Sequence, residues 1–234
     1  MDDKQFKKTL WKGALRLVLI APIMLGVLLL SAGRWDWWEA WAYSGLGLVV
    51  LIGSRTVVIK KYPDLALERS QAPDKDNVKA WDKFLMPLTA LVAPSLAWVV
   101  AGLDQRFGWS PNLPDWIQII ALVIIQAGSL IGTWAMIVNR FFSSQVRIQT
   151  DRGHVVVNQG PYKYIRHPGY AGGLLSWLAS PIFFSSYWVI IPAILAITAS
   201  VIRTFKEDQT LREELPGYVD YSKMVRFRLI PGVW

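Results

Sequence analysis

"WIQIIALVIIQAGSLIGTWAMIV", Trp116–Val138, runs for 23 residues without one Asp, Glu, Lys or Arg. About 20 apolar residues of α-helix cross the hydrocarbon core of a bilayer, so this run reads as a membrane span. Outward from it lie five further apolar stretches: Leu17–Ala32, Trp38–Ile59, Phe84–Leu103, Tyr170–Ser185 and Tyr187–Ile202. The last two meet at "SSYW", Ser185–Trp188, and read as a helical hairpin. With 53% apolar and only 18% charged residues in 234, the chain has too little charge for a soluble domain of its size. The expected fold is all-α, a polytopic integral membrane protein with about six transmembrane helices. Leu17–Ala32 follows a basic amino-terminus, as a signal peptide would, but it lacks a small-x-small cleavage site and "RWDWWEAW" follows at Arg34–Trp41, so it reads as a retained helix.

Charge placement orients the spans. Of 25 Lys and Arg, 23 lie in four segments: up to Arg16, Arg55–Lys83, Arg140–Arg166 and from Arg203 onward. Arg34 and Arg106 alone occupy the alternate connections. Under the positive-inside rule, both termini and the long loops face the cytoplasm, from a bacterial inner membrane or an endoplasmic reticulum membrane. The net charge of +8 is then a signal of topology, and no nucleic-acid partner is expected, because the basic residues are dispersed over loops. Arg55, near the end of its span, is expected to snorkel to the interface. Trp35, Trp37, Trp38, Trp41, Trp109 and Trp116 fall at non-cytoplasmic span ends and read as an aromatic belt. The Tyr62–Lys83 connector, rich in Asp, Lys and Pro, reads as solvated.

There is no cysteine, which excludes disulfides, thiolate nucleophiles and cysteine-based zinc sites. Two histidines are too few for a His-rich metal site, and no metal is expected. Neither a G-x-S-x-G elbow, a P-loop nor a G-x-G-x-x-G fingerprint occurs, which argues against α/β-hydrolase and Rossmann chemistry. Residues 1–138 read as four helices and their loops; chemistry-bearing groups gather in 139–234.

Three elements carry them. In "GPYKYIRHPGYAGG", Gly160–Gly173, the residue before Pro168 is pushed out of the helical region, and a helix can start at the proline itself. That helix start offers unpaired N–H groups to a carboxylate or a ribose hydroxyl. Gly169, Gly172 and Gly173 open its first turn either to a ligand or to a packed neighbouring helix. In "RTFKEDQTLREELPGYVDY", Arg203–Tyr221, Arg203 and Glu207 share a helical face, as a surface ion pair or as part of a site at the membrane edge. "LPGY" stops that helix, and the apolar tail "RFRLIPGVW" is expected to pack, or to lid a pocket. "TDRGHVVVNQGPY", Thr150–Tyr162, reads as turn, extended run and turn around a loop histidine, His154.

Together these elements resemble the isoprenylcysteine carboxyl methyltransferase family, within the membrane methyltransferases that include phospholipid N-methyltransferases. The resemblance spans about Asn139 to Trp234 and rests on Gln149, His154–Val157, Gly160, Tyr162, Arg166, His167–Tyr170, Gly172, Arg203, Glu207–Asp208, Leu211, Tyr218 and Tyr221. It implies a cytoplasmic-side pocket for S-adenosylmethionine, with S-adenosylhomocysteine as product, and a lipid-like or prenylated methyl acceptor reached from the bilayer. The cofactor would be lined by Gln149, His154, Val155, Val156, Val157, Tyr162, His167, Pro168, Gly169, Tyr170 and Glu207. Arg203, with Arg166, would orient an acceptor carboxylate; for an amine acceptor, Glu207 or Asp208 would take the proton. Competing readings are a phospholipid amine methyltransferase, an NADPH-dependent membrane reductase using Arg147 and Arg152 for the 2′-phosphate, and a non-enzymatic membrane scaffold or transporter subunit.

Overall fold

The structure, a computed structural model, describes residues 19–71 and 77–234. Leu17, the basic amino-terminus through Arg16 and residues 72–76 of the Tyr62–Lys83 connector lie outside the described residues. The described chain is helical and contains no strand. Helix α1 covers Leu19–Ala32, α2 Trp38–Lys61 and α3 Pro63–Gln71. α4 (Asp82–Pro87) passes through one π-helical turn, Leu88–Val92, into α5 (Ala93–Phe107). Then come α6 (Asp115–Val138), α7 (Pro168–Phe183), α8 (Ile190–Glu214) and α9 (Tyr218–Met224).

Among the described residues, three segments are long and apolar enough to cross a membrane: Trp38–Lys61, Asp82–Phe107 and Asp115–Val138. Their outward faces are greasy. On α6, Ile119, Ile120, Val123, Leu130 and Trp134 are all exposed, as expected of a lipid-facing surface. Association between such helices cannot rely on the hydrophobic effect, since lipid tails are as apolar as leucine. Close backbone approach through small residues substitutes for it. α6 presents Gly128 and Gly132, one turn apart; α7 presents Gly172 and Ser176. A Cβ on Gly172 would lie 2.3 Å from the Gly128 carbonyl oxygen, and one on Gly128 would lie 2.3 Å from that of Gly172. Ser176 donates across this seam to the Ile125 carbonyl at 3.2 Å. Gly102 does the same work between α5 and α1, where a Cβ would stand 2.5 Å from that of Ser31.

The three weakly basic connections meet at one end of the bundle. Leu113 N–H and Gln118 Nε2 donate to Ser185 Oγ (3.1 and 2.6 Å), Tyr187 N–H to Ser110 Oγ (2.9 Å), and Ser186 Oγ to buried Asp104. Trp37 packs on Phe184 with ring centroids 5.8 Å apart.

Two expectations change. Trp37 is only 2% exposed: it belongs to the core with Leu28, Ile125 and Phe183, whereas Trp35, Trp41, Trp109 and Trp116 stay exposed as a belt would require. The Tyr62–Lys83 connector is not simply solvated. Proline at its first helical position lets Pro63–Gln71 coil, and Leu65 packs with Val58 and Met136, while Glu68 and Asp82 are buried. Arg55 is half-buried: its Nη1 contacts Met136 Sδ at 3.3 Å, and its Nε is buried without a hydrogen-bond partner among the described residues.

Gly172→Ala and Gly128→Ala should each destabilise the protein by about 1–3 kcal/mol, the cost of overpacking a closed contact. Gly53→Ala is the control, since its Cβ would meet nothing within 4 Å. Thermal unfolding in detergent checks this: the first two midpoints fall and the third holds.

Candidate functional site

At the opposite end from the Ser185 turn, the loops between α6 and α7 fold against α3, α8 and α9 around a cavity of about 460 Å³. That volume suits a small-molecule ligand. The walls are fixed by three buried carboxylates, each joining parts far apart in sequence.

Asp208 has no exposure and gathers Arg166, Arg212 and Arg228 at 2.7, 3.1 and 3.0 Å. It also accepts from Tyr218 Oη at 3.0 Å and stands 3.4 Å from His167 Nε2. Burial alone would raise its carboxyl; the hydrogen bond and charge of His167, the Arg166 charge and the Arg228 hydrogen bond instead hold it well below the usual carboxylate range. Asp82, equally sealed, receives Arg203 Nε and Nη2 at 2.6 and 3.0 Å and the Val146 N–H at 2.7 Å, tying α4 to α8 and to the loop. Glu68 grips Arg147 through two 2.8 Å bonds, which bring α3 against that loop.

Among the residues expected at a site, Gln149, His154, Val155, Val156, Val157, Tyr162, His167, Gly169, Tyr170 and Glu207 line the cavity, as do Arg203 and Arg166. Pro168 is buried at the first position of α7 and is not part of the lining. The lining residues differ in what they leave free. Gln149 is 1% exposed; its Nε2 donates to Phe141 O at 2.7 Å and its Oε1 accepts from Arg152, so it props the loop. Arg166 spends its guanidinium on Asp208 and on the carbonyls of Ser222, Val225 and Arg226 at 3.0–3.3 Å. It therefore staples α9 and the tail; an acceptor would have to displace those partners. The tail itself clasps the His167 turn from outside: Arg166 and His167 N–H groups donate to Phe227 and Arg228 carbonyls at 3.0 and 2.9 Å. Past Tyr221 it contributes no lining residue among those described, so it packs and does not lid.

Free capacity sits on His154, Glu207 and Arg203. The Gln149 N–H approaches His154 Nδ1 at 3.3 Å, which assigns the ring proton to Nε2, and Nε2 has no partner among the described residues. Burial, then the Arg152 and Arg147 charges, push this imidazole down to about 4, so it is neutral at physiological pH. Glu207 accepts from Tyr170 Oη at 2.6 Å on Oε2 and keeps Oε1 unpartnered among the described residues. Of the two readings for Arg203, the ion pair with Glu207 does not form: Arg203 takes Asp82 and the Ser144 carbonyl (2.7 Å), leaving its Nη1 unpartnered among the described residues. The glycines divide: Gly172 packs on α6, while Gly173 lines the cavity and a Cβ there would meet open space.

Sequence reasoning missed Asp82, Glu68 and Arg69. All lie in the connector taken as solvated, where a charged residue gives no sign of its distant partner. Arg147 and Arg152, offered to a 2′-phosphate, are already engaged: Arg147 by Glu68 and Asp151, Arg152 by Asp64 at 2.7 Å and by Gln149.

Because the folded state holds His154 neutral below its unfolded value near 6.5, it binds fewer protons than the unfolded chain between pH 6.5 and about 4. Stability should therefore fall as pH drops through that window, by about 1–2 kcal/mol between pH 7 and pH 5. Melting curves across this range should show a shallower acid loss for His154→Gln than for the wild type. Equal slopes would remove His154 as the cause.

Residues 119–213 match the family model of the isoprenylcysteine carboxyl methyltransferase (ICMT) family. No curated protein matched the chain. The matched segment holds α6 from its first turn, the cavity loops, α7 and nearly all of α8, and so carries most of the wall just described. Over residues 119–213, about two fifths of its length, the chain is similar to the isoprenylcysteine carboxyl methyltransferase family.

Proposed function

We propose that this membrane methyltransferase uses S-adenosylmethionine to methylate the carboxylate of a lipid-like or prenylated acceptor. The observation that supports it best is the two-sided wall of one cavity. Loop residues from Gln149 to Tyr162 supply polar and β-branched groups, while Met86, Ala90, Gly173 and Trp177 line it from helices. S-adenosylmethionine, when bound, supplies an electrophilic methyl group on a sulfonium. The residues present fit such a ligand: His154 offers a neutral N–H, Glu207 an open carboxylate oxygen, and Val155–Val157 with Tyr162 an apolar surface for a flat base.

The chain's part in the reaction is positioning and exclusion of water. Tyr170 fixes Glu207 through its 2.6 Å bond, and the Arg203 guanidinium lies 5.6 Å from the Tyr170 ring centroid, so these three side chains hold one another. A carboxylate is already a nucleophile at neutral pH and asks for no base. An amine acceptor would need one, and Asp208 is unfit for that task because five side chains surround it and solvent does not reach it. Only Glu207 would remain.

For topology we propose six crossings with both termini in the cytoplasm. In support, the weakly basic connections meet at the Ser185 end, and the strongly basic ones surround the cavity at the other. The same segregation of polar groups to one edge speaks against a transport path through the bundle.

Titration of the detergent-solubilised protein with S-adenosylmethionine, S-adenosylhomocysteine and NADPH tests the reading. Saturable binding of the first two is expected, weakened about tenfold or more in Glu207→Gln; binding of NADPH alone would overturn it. Arg203→Ala would strand buried Asp82 at a cost of about 3–5 kcal/mol, so Arg203→Lys is the informative variant. It should lower kcat by about tenfold or more, since an ammonium cannot hold Asp82 and an acceptor as a planar fork does. Affinity for S-adenosylhomocysteine should stay within about twofold; equal loss of both would move Arg203 into the cofactor's shell.

A further inference from the structure

Among the described cations of the cavity wall, one has neither a carboxylate partner nor a part in the scheme above. Arg69 lies on α3, outside the family-matched segment. Its Nη1 donates to the Phe142 carbonyl at 2.9 Å, and its guanidinium stands 5.7 Å from the Phe142 ring. No carboxylate pairs with it among the described residues. Instead burial, and after it the like charges of Arg55 and Arg203, push its guanidinium down to about 9. Arg203 is offset by Asp82; Arg55 has only a sulfur contact and a buried Nε without a partner. Three guanidiniums thus share one directly paired carboxylate, Asp82, with Glu207 acting on Arg203 through space alone.

A surplus of half-buried positive charge at a membrane edge is costly unless an anion joins it. The anion's position follows from Arg69, which opens onto the cavity. Its shape follows from the neighbours. Met86 lies one helical turn beyond Asp82, and Ser200 one turn before Arg203, so the charged rim passes directly into helix-borne wall. Ala90 lies in the π-helical turn, Trp177 lines the opposite helix, and a Cβ on Gly173 would meet open space. π-Helical turns recur where a helix is reshaped for a ligand. An anion seated over an apolar lobe describes an amphiphile, whereas the methionine end of the cofactor is a zwitterion without a tail.

We propose that Arg69, with the unpartnered Nη1 of Arg203, receives the carboxylate of the methyl acceptor, a role that rests on the carboxyl-methylation reading. In the transfer, a carboxylate oxygen forms a bond to the methyl carbon as the carbon–sulfur bond breaks. The bonding pair stays on sulfur, and an anion plus a sulfonium become a neutral ester and a neutral thioether. The acceptor's negative charge therefore shrinks along the reaction, so Arg69 strengthens substrate binding more than it speeds the chemical step, and the ester leaves a seat that no longer holds it.

N-acetyl-S-farnesylcysteine and its uncharged carboxamide are the probes, titrated against the full chain saturated with S-adenosylhomocysteine. The wild type should bind the carboxylate about ten- to a hundredfold more tightly than the amide. Arg69→Gln should abolish that preference while leaving S-adenosylhomocysteine affinity in place; with the carboxylate as substrate, KM rises and kcat is little changed. Arg69→Lys keeps the charge, and with it the fold, and should retain a preference of only a few-fold. A wild type that does not distinguish the probes, or a preference that survives both substitutions, overturns the seat. A charge preference lost in Arg69→Gln, without methyl transfer to the carboxylate, keeps the seat and sinks carboxyl methylation.

Discussion

Asp208 is the point on which the cytoplasmic end of the protein depends. One sealed carboxylate collects three guanidiniums, a phenol and an imidazole from the His167 turn, the last turns of α8, α9 and the carboxyl-terminal tail. The loops have no sheet to order them and little apolar core beyond Leu215, Tyr218 and Tyr221. Loss of one partner in such a network leaves buried charge uncompensated, which is why charge pairing, more than burial of apolar surface, sets the shape of this end. Asp82 repeats the device between α4 and α8, across a gap of 121 residues.

Adjacent acids consequently do different work. Glu207 and Asp208 are separated by the roughly 100° that one helical residue turns. That rotation sends Glu207 into the cavity, with one oxygen on Tyr170 and the other open, and sends Asp208 into the network behind it. The same geometry separates Gly172 from Gly173. One lets α7 touch the α6 backbone, and the other leaves room in the cavity. Ligand approach and helix packing are alternative readings of this glycine cluster; Gly172 serves packing, and Gly173 faces the cavity.

What could be read from the sequence followed periodicity and composition. Trp116–Val138 emerges as α6 with its carboxyl-terminal boundary unchanged, and Gly153 and Gly217, in stretches that read as a turn and a helix stop, take left-handed backbone. The residues carrying the family resemblance mostly reach one cavity, because motif spacing reports on local geometry. Partner choice was not legible. Arg203 takes Asp82 over Glu207, its neighbour four residues on, because a sealed bidentate partner outweighs a half-exposed one on its own helix. Glu68 and Arg69 were hidden for the same reason: a charged helix of nine residues looks solvated until the loop 79 residues away from Glu68 supplies Arg147.

The connector carries a further consequence for how the two parts of the chain relate. Residues before 139 provide spans, yet Arg69, Met86, Thr89 and Ala90 are also in the cavity wall. They lie outside the segment that matches the family. In a cavity whose loops are clamped by Asp208, Asp82 and Glu68, the loop side has little freedom to change without breaking a buried ion pair. The α3 and α4–α5 side is less constrained: Arg69 is held by one carbonyl and one ring, and Ala90 is exposed. Substitutions there alter charge and shape toward the bilayer at small structural cost. On the carboxyl-methylation proposal, acceptor choice varies on the amino-terminal half while the proposed cofactor wall stays fixed on the other.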